Sequence, residues 1–426
     1  ASTSSNGLIR FDGAVSGPIK KGWYYSGGVY VNLDPTDVNA PGRKFVENKQ
    51  IFQLSVSKRW ERSSLDMFYR FSRCRDNVNN GYKFAPFLYI GDGTIGNYNG
   101  FRIGRDCYMP ADDEAKWLNV ENGKMESGRL GKIDNRNIHD LTLKYDNRLQ
   151  SGWDLAATFH LLRMCPGNYA TFELASIKEG DYYLPDGTPY SKKAQNRIIT
   201  VGNDHTTDLE LLFEAKKDFG NHSLKSGIDF IYASQFMAGS TFNIAHTIEA
   251  NPQRLSKGQD SSWDFNKNSL YLDGKKKNFA FYLMDNWQAT RNLRLQTGIR
   301  LRPVFNTSIC APYDSETGAN DRKTGDFSIV SENCKLTEKK INSLDYAVSE
   351  CISYRLVGRL FANAEGFYSI TNKVTTYFKG ASSPSDKAIG NAYARGGLSY
   401  DNSWMDVAAV FSFITSWNNR CFWSDY

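Results

Sequence analysis

The chain has 426 residues, of which 40% are hydrophobic, 14% aromatic and 23% charged, and its formal net charge is +6. This hydrophobic content excludes a disordered chain, and scattered basic residues without an interleaved aromatic stripe argue against nucleic-acid binding. No segment reaches the roughly 20 consecutive apolar residues of a membrane-spanning helix. A search for apolar segments does not detect a protein that crosses a membrane with β-strands, because such strands alternate apolar and polar residues.

Period-two alternation begins at Leu8. Residues 8–16 place apolar side chains on one face, and residues 23–32 do the same after a short turn that ends at Gly22. Residues 52–57 and 65–72 form the next such pair. Each pair predicts an antiparallel hairpin with one apolar and one largely polar face.

The same pattern continues to the end of the chain and predicts 14 strands in seven hairpins. Turns within hairpins are a few residues long, whereas the connections between hairpins are much longer. A compact soluble domain rarely tolerates structureless connections beyond ~15 residues, but outer-membrane barrels alternate short periplasmic turns with long extracellular loops. The later hairpins join 141–145 to 153–161, 209–213 to 224–232, 279–283 to 293–301, 346–352 to 360–368 and 393–400 to 404–413, and the predicted long loops lie near 34–49, 74–136, 164–205, 236–277, 303–342 and 370–389.

Tryptophans cluster near the predicted strand ends. A belt of Trp and Tyr suits the headgroup layers of a membrane, whereas cross-strand pairing in a soluble sheet is the alternative for any single ring. Together with the loop alternation, the belt is the favoured interpretation. Its members are Trp23, Trp60, Trp153, Trp287 and Trp404.

The parity of the strands predicts that the native molecule has more of them. If the short turns are periplasmic, both ends of this chain lie on the extracellular side, whereas complete barrels generally keep both termini in the periplasm. An open sheet edge in lipid would leave backbone groups unpaired at several kcal/mol each. We therefore expect a barrel of which this chain is one part.

Five segments resemble the strands of one family. Residues 279–287 resemble the aromatic-Asp-x-Trp strand of TonB-dependent transporter barrels. Residues 292–300 resemble the strand that follows it, with Leu301 where the family usually has Tyr, and residues 360–367 resemble a later aromatic-Ala-x-x-x-x-Gly-Phe strand. Similar matches to the second and third strands of the family lie at 15–19 and 23–25.

The resemblance implies an all-β, transmembrane antiparallel β-barrel of 22 strands in a bacterial outer membrane, of proteobacterial or Bacteroidetes type. Residues 1–426 would supply strands two to about fifteen of that one domain. The family pattern adds an N-terminal plug, absent from this chain, through which the TonB complex acts. The further partners we expect are outer-membrane lipid, a surface lipoprotein, and a siderophore, vitamin or oligosaccharide ligand. We expect neither a cofactor nor an enzymatic activity.

Aromatic side chains in the long connections are the candidates for ligand contact. Binding residues concentrate on loops that a rigid scaffold holds, and a planar ring can stack on a sugar or a chelator. Stabilisation of the loop itself is the alternative for each ring. The candidates are Trp117, Tyr182, Tyr183, Tyr190, Trp263 and Tyr271.

Other motifs carry weaker hypotheses. Asp112, Asp113 and Glu114 offer hard oxygen ligands for calcium, with a solvated acidic loop as the alternative. Residues 91–96 match G-x-G-x-x-G, but no helix-forming sequence follows, which favours a glycine-rich loop over a dinucleotide site. The histidines show no zinc spacing, and no nucleophile motif indicates an enzyme.

Seven cysteines leave at least one thiol without an intrachain disulfide partner. Cys310 and Cys334 share one long connection, and Cys74 and Cys107 bracket another. Loop disulfides form in oxidising compartments, so both pairs are candidates, with unpaired thiols as the alternative.

Two other functions compete with active transport. A passive 14-stranded outer-membrane channel satisfies the strand count, although the parity of the termini argues against it. A secreted β-rich glycan-binding protein would need its apolar strand faces packed against each other, and the long loops argue against that arrangement.

Overall fold

The computed structural model describes residues 1–5, 7–35, 47–76, 87–98, 100–102, 106, 108–110, 114–119, 124–129, 135–250, 252–257, 269–310, 337–371, 389–401 and 406–417. The regular structure of these residues is β-strand throughout. Nowhere in this part of the chain does a helix have the length and apolarity to cross a membrane.

One antiparallel sheet runs through the molecule. Its strands are β1 (Ser2–Thr3), β2 (Ile9–Pro18), β3 (Trp23–Asp34), β4 (Glu47–Arg59), β5 (Ser63–Asp76), β10 (Asn135–Arg148), β11 (Trp153–Lys178), β14 (Ala194–Phe219), β15 (His222–His246), β16 (Arg254–Leu255), β17 (Ser269–Gln288), β18 (Leu293–Cys310), β19 (Thr337–Val357), β20 (Leu360–Thr371), β21 (Ile389–Asp401) and β22 (Asp406–Trp417). Three small hairpins lie in the long connections: β6 (Phe87–Gly91) with β7 (Thr94–Asn97), β8 (Glu114–Asn119) with β9 (Lys124–Arg129), and β12 (Tyr182–Tyr183) with β13 (Pro189–Tyr190).

The strand order follows the chain. Each long strand pairs with the long strands before and after it, from β2 at one side to β22 at the other. The 14 long strands are the 14 predicted ones, which confirms the all-β antiparallel fold class. The tight turns of the hairpins all lie at one end of the sheet, called here the turn end, and the long connections lie at the other, called the loop end.

Three strands of the sheet continue far into two of the predicted loop ranges. Strands β11, β14 and β15 have 26, 26 and 25 residues, so they occupy much of the ranges 164–205 and 236–277. Their loop-end halves stay in the sheet because alternate side chains there, among them Ile199, Val201 and Phe242, are buried against other protein rather than facing solvent.

The two faces of the sheet differ in chemistry because paired residues on neighbouring strands project to the same side. Phe213, Ile228 and Phe281 are partners across β14, β15 and β17 and define the apolar face. Their neighbours along the strands, such as Glu214 and Tyr282, define the charged face. The apolar side chains are exposed in this chain, with Phe213 at 61%.

The apolar face has the height of a membrane. On β15 it runs from Leu224 to Tyr232, alternating with polar residues. Nine residues at about 3.3 Å each, tilted by about 40°, span roughly 23 Å, close to the ~25 Å apolar band of outer-membrane barrels. Beyond Tyr232, Ser234 takes the next position on that face, and its partner on β17 is Lys275.

Tryptophans border the apolar face at the turn end. Trp23, Trp153 and Trp287 pair across strands with residues of the apolar face or its margin, and Trp60 follows the last residue of β4. Trp404 lies outside the described residues. Four of the five predicted belt positions therefore lie at one edge of the apolar band.

Candidate functional site

The charged face carries ion pairs that cross from strand to strand. Two strands of a sheet lie about 5 Å apart, so a long basic side chain on one reaches a carboxylate on the next, and Arg300 on β18 reaches past β17 to Asp229 on β15. Partly exposed pairs of this kind each stabilise a protein by about 1 kcal/mol or less, but as a set they make this face polar along the sheet. The pairs are Arg59–Asp66 at 2.7 Å, Arg70–Asp140 at 2.8 Å, Lys225–Glu214 at 2.6 Å, Arg300–Asp229 at 3.3 Å and Arg302–Asp345 at 2.7 Å.

Glu214 shows how this face is built. The Lys225 ammonium lies 2.6 Å from its carboxylate, and the Tyr282 hydroxyl donates a hydrogen bond to the same Oε1 atom. Tyr282 reaches Glu214 by lying across Gly227, its partner in β15. A Cβ atom at Gly227 would lie 2.3 Å from the phenol ring, so only glycine leaves the space.

A cavity of about 550 Å³ opens at the turn end among β5, β10, β11, β14 and β15, beside the turn that joins β4 to β5. Its walls include Asp146, Asp154, Glu214, Lys216 and Lys225. Side chains of both signs therefore line it. The arrangement lacks the stacked rings that the sequence analysis expected for ligand capture, and those occur at the other end of the sheet.

A buried arginine organises the loop end. Arg197 on β14 is 0% exposed, and its Nε donates a hydrogen bond to His246 Nε2 at 2.8 Å. A second guanidinium nitrogen donates to the main-chain carbonyl of Tyr108, and the guanidinium lies 5.0 Å from the centre of the Tyr108 ring. Arg197 thus joins two strands to the connection between β5 and β10.

Aromatic rings complete this cluster, which we call the Arg197 hub (Phe101, Tyr108, Arg197 and His246). The Tyr108 ring meets the edges of Phe101 and His246 at centroid distances of 5.3 and 4.8 Å, and its hydroxyl donates to Gln195 Oε1 at 3.2 Å. Fully buried rings around a hydrogen-bonded cation make a dry, rigid joint.

His246 is held in its neutral form. Nε2 accepts from Arg197, so Nδ1 carries the proton and donates to the carbonyl of Thr247 at 2.8 Å. Burial, followed by the nearby positive charges of Arg197 and Arg254, lowers the pKa of His246 to about 3. A proton on Nε2 would abolish the acceptor that Arg197 uses.

The hairpin β12–β13 brings together three of the predicted ligand-binding residues. Tyr182 pairs with Tyr190, and Tyr183 pairs with Pro189. Tyr182 is only 4% exposed and packs with Ala194, Ala245 and Leu255, so its ring stabilises the loop end. Hydrophobic contacts with the adjoining strands explain the burial. Tyr183 and Tyr190 are half-buried, and ligand contact by them stays a prediction.

The remaining sequence candidates are placed by backbone alone or fall outside the described residues. Trp117 lies in β8 and Tyr271 in β17, Glu114 begins β8, and Cys310 ends β18. Trp263 lies outside the described residues. So do the partners that would test the calcium site and the disulfides, which are Asp112, Asp113, Cys334 and Cys107. Among the residues that are described, no group of three or more possible metal ligands occurs.

Residues 91–96 form a hairpin turn, not a phosphate loop. Asp92 and Gly93, with φ of 53° and 72°, make the two-residue turn between β6 and β7, which is the preferred role of an Asp-Gly pair. The strands beside it expose Tyr89 at 69% and Ile90 at 68%. Its apolar side chains lie in a glycine-rich segment without a long alternating pattern, so the sequence gives no signal for this hairpin.

The Arg197 hub was also missed. Arg197 and His246 are 49 residues apart, and no motif or spacing connects them. They meet because β14 and β15 pair without a break from Gln195–His246 to Phe219–His222. To predict this contact from the sequence, one would have to know that the β14–β15 pairing keeps the same register over about 25 residues from the turn.

The chain has the all-β fold of outer-membrane β-barrel receptors, and comparison with solved structures gives particular neighbours. One is the ferric yersiniabactin uptake receptor FyuA from Yersinia pestis, with a TM-score of 0.55 and 11% identity over 97% of this chain and 53% of that one. Another is the ferric-catecholate import receptor Fiu from E. coli K12, whose open form gives a TM-score of 0.54 and 16% identity over 96% and 58% of the two chains. Its closed form gives 0.55, 16%, 96% and 56%.

These likenesses establish the fold, since the identities are low. The chain spans a little over half the length of FyuA and Fiu. Comparison with protein-family models finds no match, and neither does comparison with the sequences of curated proteins.

Proposed function

We propose that this chain is the barrel region of an outer-membrane receptor that binds a scarce solute at its loop end and imports it. The observation that carries the proposal is that the two ends of the sheet differ, and so do its two faces. The tight turns lie at one end and the long connections at the other. One face is apolar over a height close to that of a membrane, and the opposite face carries ion pairs. A lipid-facing outside and a polar inside are what a transmembrane barrel requires.

A ferric siderophore is the solute class we infer. FyuA is named for ferric yersiniabactin and Fiu for ferric catecholates, and this sheet has their fold. The loop end also offers aromatic surfaces, including Tyr183, Tyr190 and Tyr89, that suit a planar chelator. A vitamin or an oligosaccharide is the alternative cargo.

Import against a gradient needs energy, and we infer that the TonB complex supplies it through a plug domain inside the barrel. The charged face would then be the wall of the lumen that the plug fills. Ion pairs that are satisfied within the wall leave few bare charges to hold a plug, so it could be displaced at modest cost. A surface lipoprotein would be a further partner at the loop end.

Binding and uptake by the full-length native protein test this function. The protein, extracted in detergent, is titrated with ferric catecholate, ferric hydroxamate, cobalamin and an oligosaccharide mixture, and iron-55 uptake is followed in cells that express it. We expect sub-micromolar binding of one ferric chelate and uptake that stops when the proton-motive force is collapsed. Uptake that continues unchanged would indicate a passive channel, and a protein soluble without detergent would overturn the membrane assignment.

Neighbouring tyrosines should separate ligand contact from loop stability. Tyr183→Ala removes a half-buried ring and is expected to weaken chelate binding about tenfold with little change in melting temperature. Tyr182→Ala empties a packed site and should cost about 3 kcal/mol of stability at the loop end, as large-to-small aromatic substitutions do. Isothermal titration and differential scanning fluorimetry on both variants give the two readouts. Unchanged affinity in Tyr183→Ala would remove that residue from the ligand site.

A further inference from the structure

A tryptophan faces a basic residue across the strands at three places on the turn-end edge of the apolar face. Trp23 pairs with Lys58, Trp153 with Lys217, and Trp287 with His222. Each tryptophan lies at or next to the end of its strand, beside a tight turn. The same pairing occurs three times, always on the same face and at the same end of the sheet. A single chance contact would not produce such a pattern.

The first pair is built by a strained turn. Lys21 and Gly22 have φ of 49° and 77°, which turns the Lys21 carbonyl toward Lys58, and the Lys58 ammonium donates a hydrogen bond to it. A Cβ atom at Gly22 would lie 2.5 Å from the Arg59 carbonyl, so this conformation needs glycine. The ammonium also lies 5.3 Å from the Trp23 ring centre and 5.6 Å from that of Trp60.

The second pair repeats the contact in simpler form. The Lys217 ammonium lies 5.3 Å from the centre of the Trp153 ring, and both side chains are half-buried. Within the described part of the chain, neither Lys58 nor Lys217 has a carboxylate within ion-pair distance. Each lysine therefore has a positive charge that is stabilised by cation–π contact with aromatic rings and can still bind an anion.

The third pair is an internal contrast. His222 stacks on Trp287 with centroids 5.4 Å apart, but its Nδ1 lies 2.7 Å from Asp285 Oδ2. The carboxylate already occupies the position that an external anion would take. Only the two lysine pairs are free to bind one.

We propose that the Lys58 and Lys217 sites each bind the phosphate of an anionic phospholipid. The inference rests on the proposed function, which places the turn end at the periplasmic leaflet. A phosphate oxygen would accept from the lysine ammonium, and the indole N–H groups of the neighbouring tryptophans supply further donors at headgroup height. The acyl chains would run along the exposed apolar side chains above, such as Leu54 and Phe52.

A lipid fits better than free phosphate because the site is continuous with that apolar face. Phe52, Leu54 and Val56 alternate toward Lys58 on β4, so the headgroup site and the acyl-chain surface share one strand. Inorganic phosphate would gain only the polar half of the site, where a single half-buried lysine at the water interface holds an anion weakly.

Native mass spectrometry of the delipidated full-length protein in detergent tests the proposal. Dioleoyl phosphatidylglycerol and dioleoyl phosphatidylcholine are added separately, and the number and affinity of retained lipids are measured. We expect two retained phosphatidylglycerol molecules and weak phosphatidylcholine binding. Lys58→Gln should weaken one site about fivefold, and the Lys58→Gln/Lys217→Gln pair should weaken both. Ten millimolar inorganic phosphate should displace little of the lipid.

A matched control removes the same charge elsewhere. Lys275→Gln/Lys277→Gln deletes two positive charges from the same face of the sheet at its loop end, and phosphatidylglycerol binding should not change. Equal retention in the Lys58→Gln/Lys217→Gln protein, or equal loss in the control, would overturn the proposal. Full displacement by inorganic phosphate would overturn the lipid assignment. Either result leaves the receptor function standing if the protein still needs detergent and binds its chelate.

Discussion

Replacing Phe213 by arginine is expected to prevent the protein from assembling in a lipid bilayer. Phe213 lies near the middle of the apolar band on β14, with 61% of its surface exposed. In lipid the guanidinium would face hydrocarbon, and an arginine at the midplane of a barrel costs about 2–4 kcal/mol. A large share of total stability would then be lost. Folding yield into phosphatidylcholine vesicles, read by the heat-dependent mobility of the barrel in gels, measures the effect.

Leu212→Arg is the matched control because it changes the adjacent residue on the charged face. Leu212 pairs with Asp229 on β15, and one carboxylate oxygen of Asp229 is buried there without a hydrogen bond. An arginine at this position gains a partner, so folding yield should stay near that of the unmodified protein. Equal yields for the two variants would contradict a lipid-facing Phe213. A soluble sandwich with Phe213 in its core would instead lose stability without any dependence on lipid.

The hairpins could be predicted because each depends on local alternation. Leu209, Leu211 and Phe213 on β14 need a hydrophobic environment on one side of the strand only. Alternation of apolar and polar residues indicates such a strand within a few residues. The tight turns confirm it, since the Lys21–Gly22 turn follows the usual preference for glycine where φ is positive. Fold class and strand number were therefore accessible without the structure.

The loop-end strands could not be predicted in the same way. Pro166 and Gly167 interrupt β11, and both residues normally indicate a turn. The structure accommodates them in an irregularity of the β11–β14 ladder between Met164 and Gly167, beyond which β11 continues to Lys178. Proline is tolerated at such bulges because they need no ladder donor from it.

The candidate site divides along the same line. Exposed-looking tyrosines in a long connection could be named from sequence, but their burial depends on contacts with distant strands. Tyr182 packs against Ala245 and Leu255, more than 60 residues away. The hub that fixes these strands rests on a single arginine whose partners are a histidine and a carbonyl, and neither has a sequence signature.

Acid is expected to open the loop end through His246. When the hub opens, His246 regains its ordinary pKa near 6.5, whereas inside the hub burial and the charge of Arg197 lower its pKa to about 3. The open form therefore binds one more proton between those values, so stability of the closed hub is full above about pH 6.5 and is lost as the pH falls toward 3. The open population should rise about tenfold per pH unit in this window. Hydrogen exchange of peptides covering 195–201 and 240–247, corrected for intrinsic rates, measures it.

His246→Gln separates this proton from the other groups that titrate in acid. A glutamine oxygen can accept from Arg197 and its amide can donate to the Thr247 carbonyl, so both hydrogen bonds of the neutral imidazole are kept without a titrating group. We expect hydrogen exchange in the two segments to lose its tenfold dependence on pH, while the segments around the turn end exchange as before. The other charged groups that act on His246 are the arginines 197 and 254, which stay protonated throughout. An unchanged slope in the glutamine variant would assign the acid opening to groups other than His246. Asp204 would not be one of them, because burial raises its pKa and acid therefore favours the folded protein there.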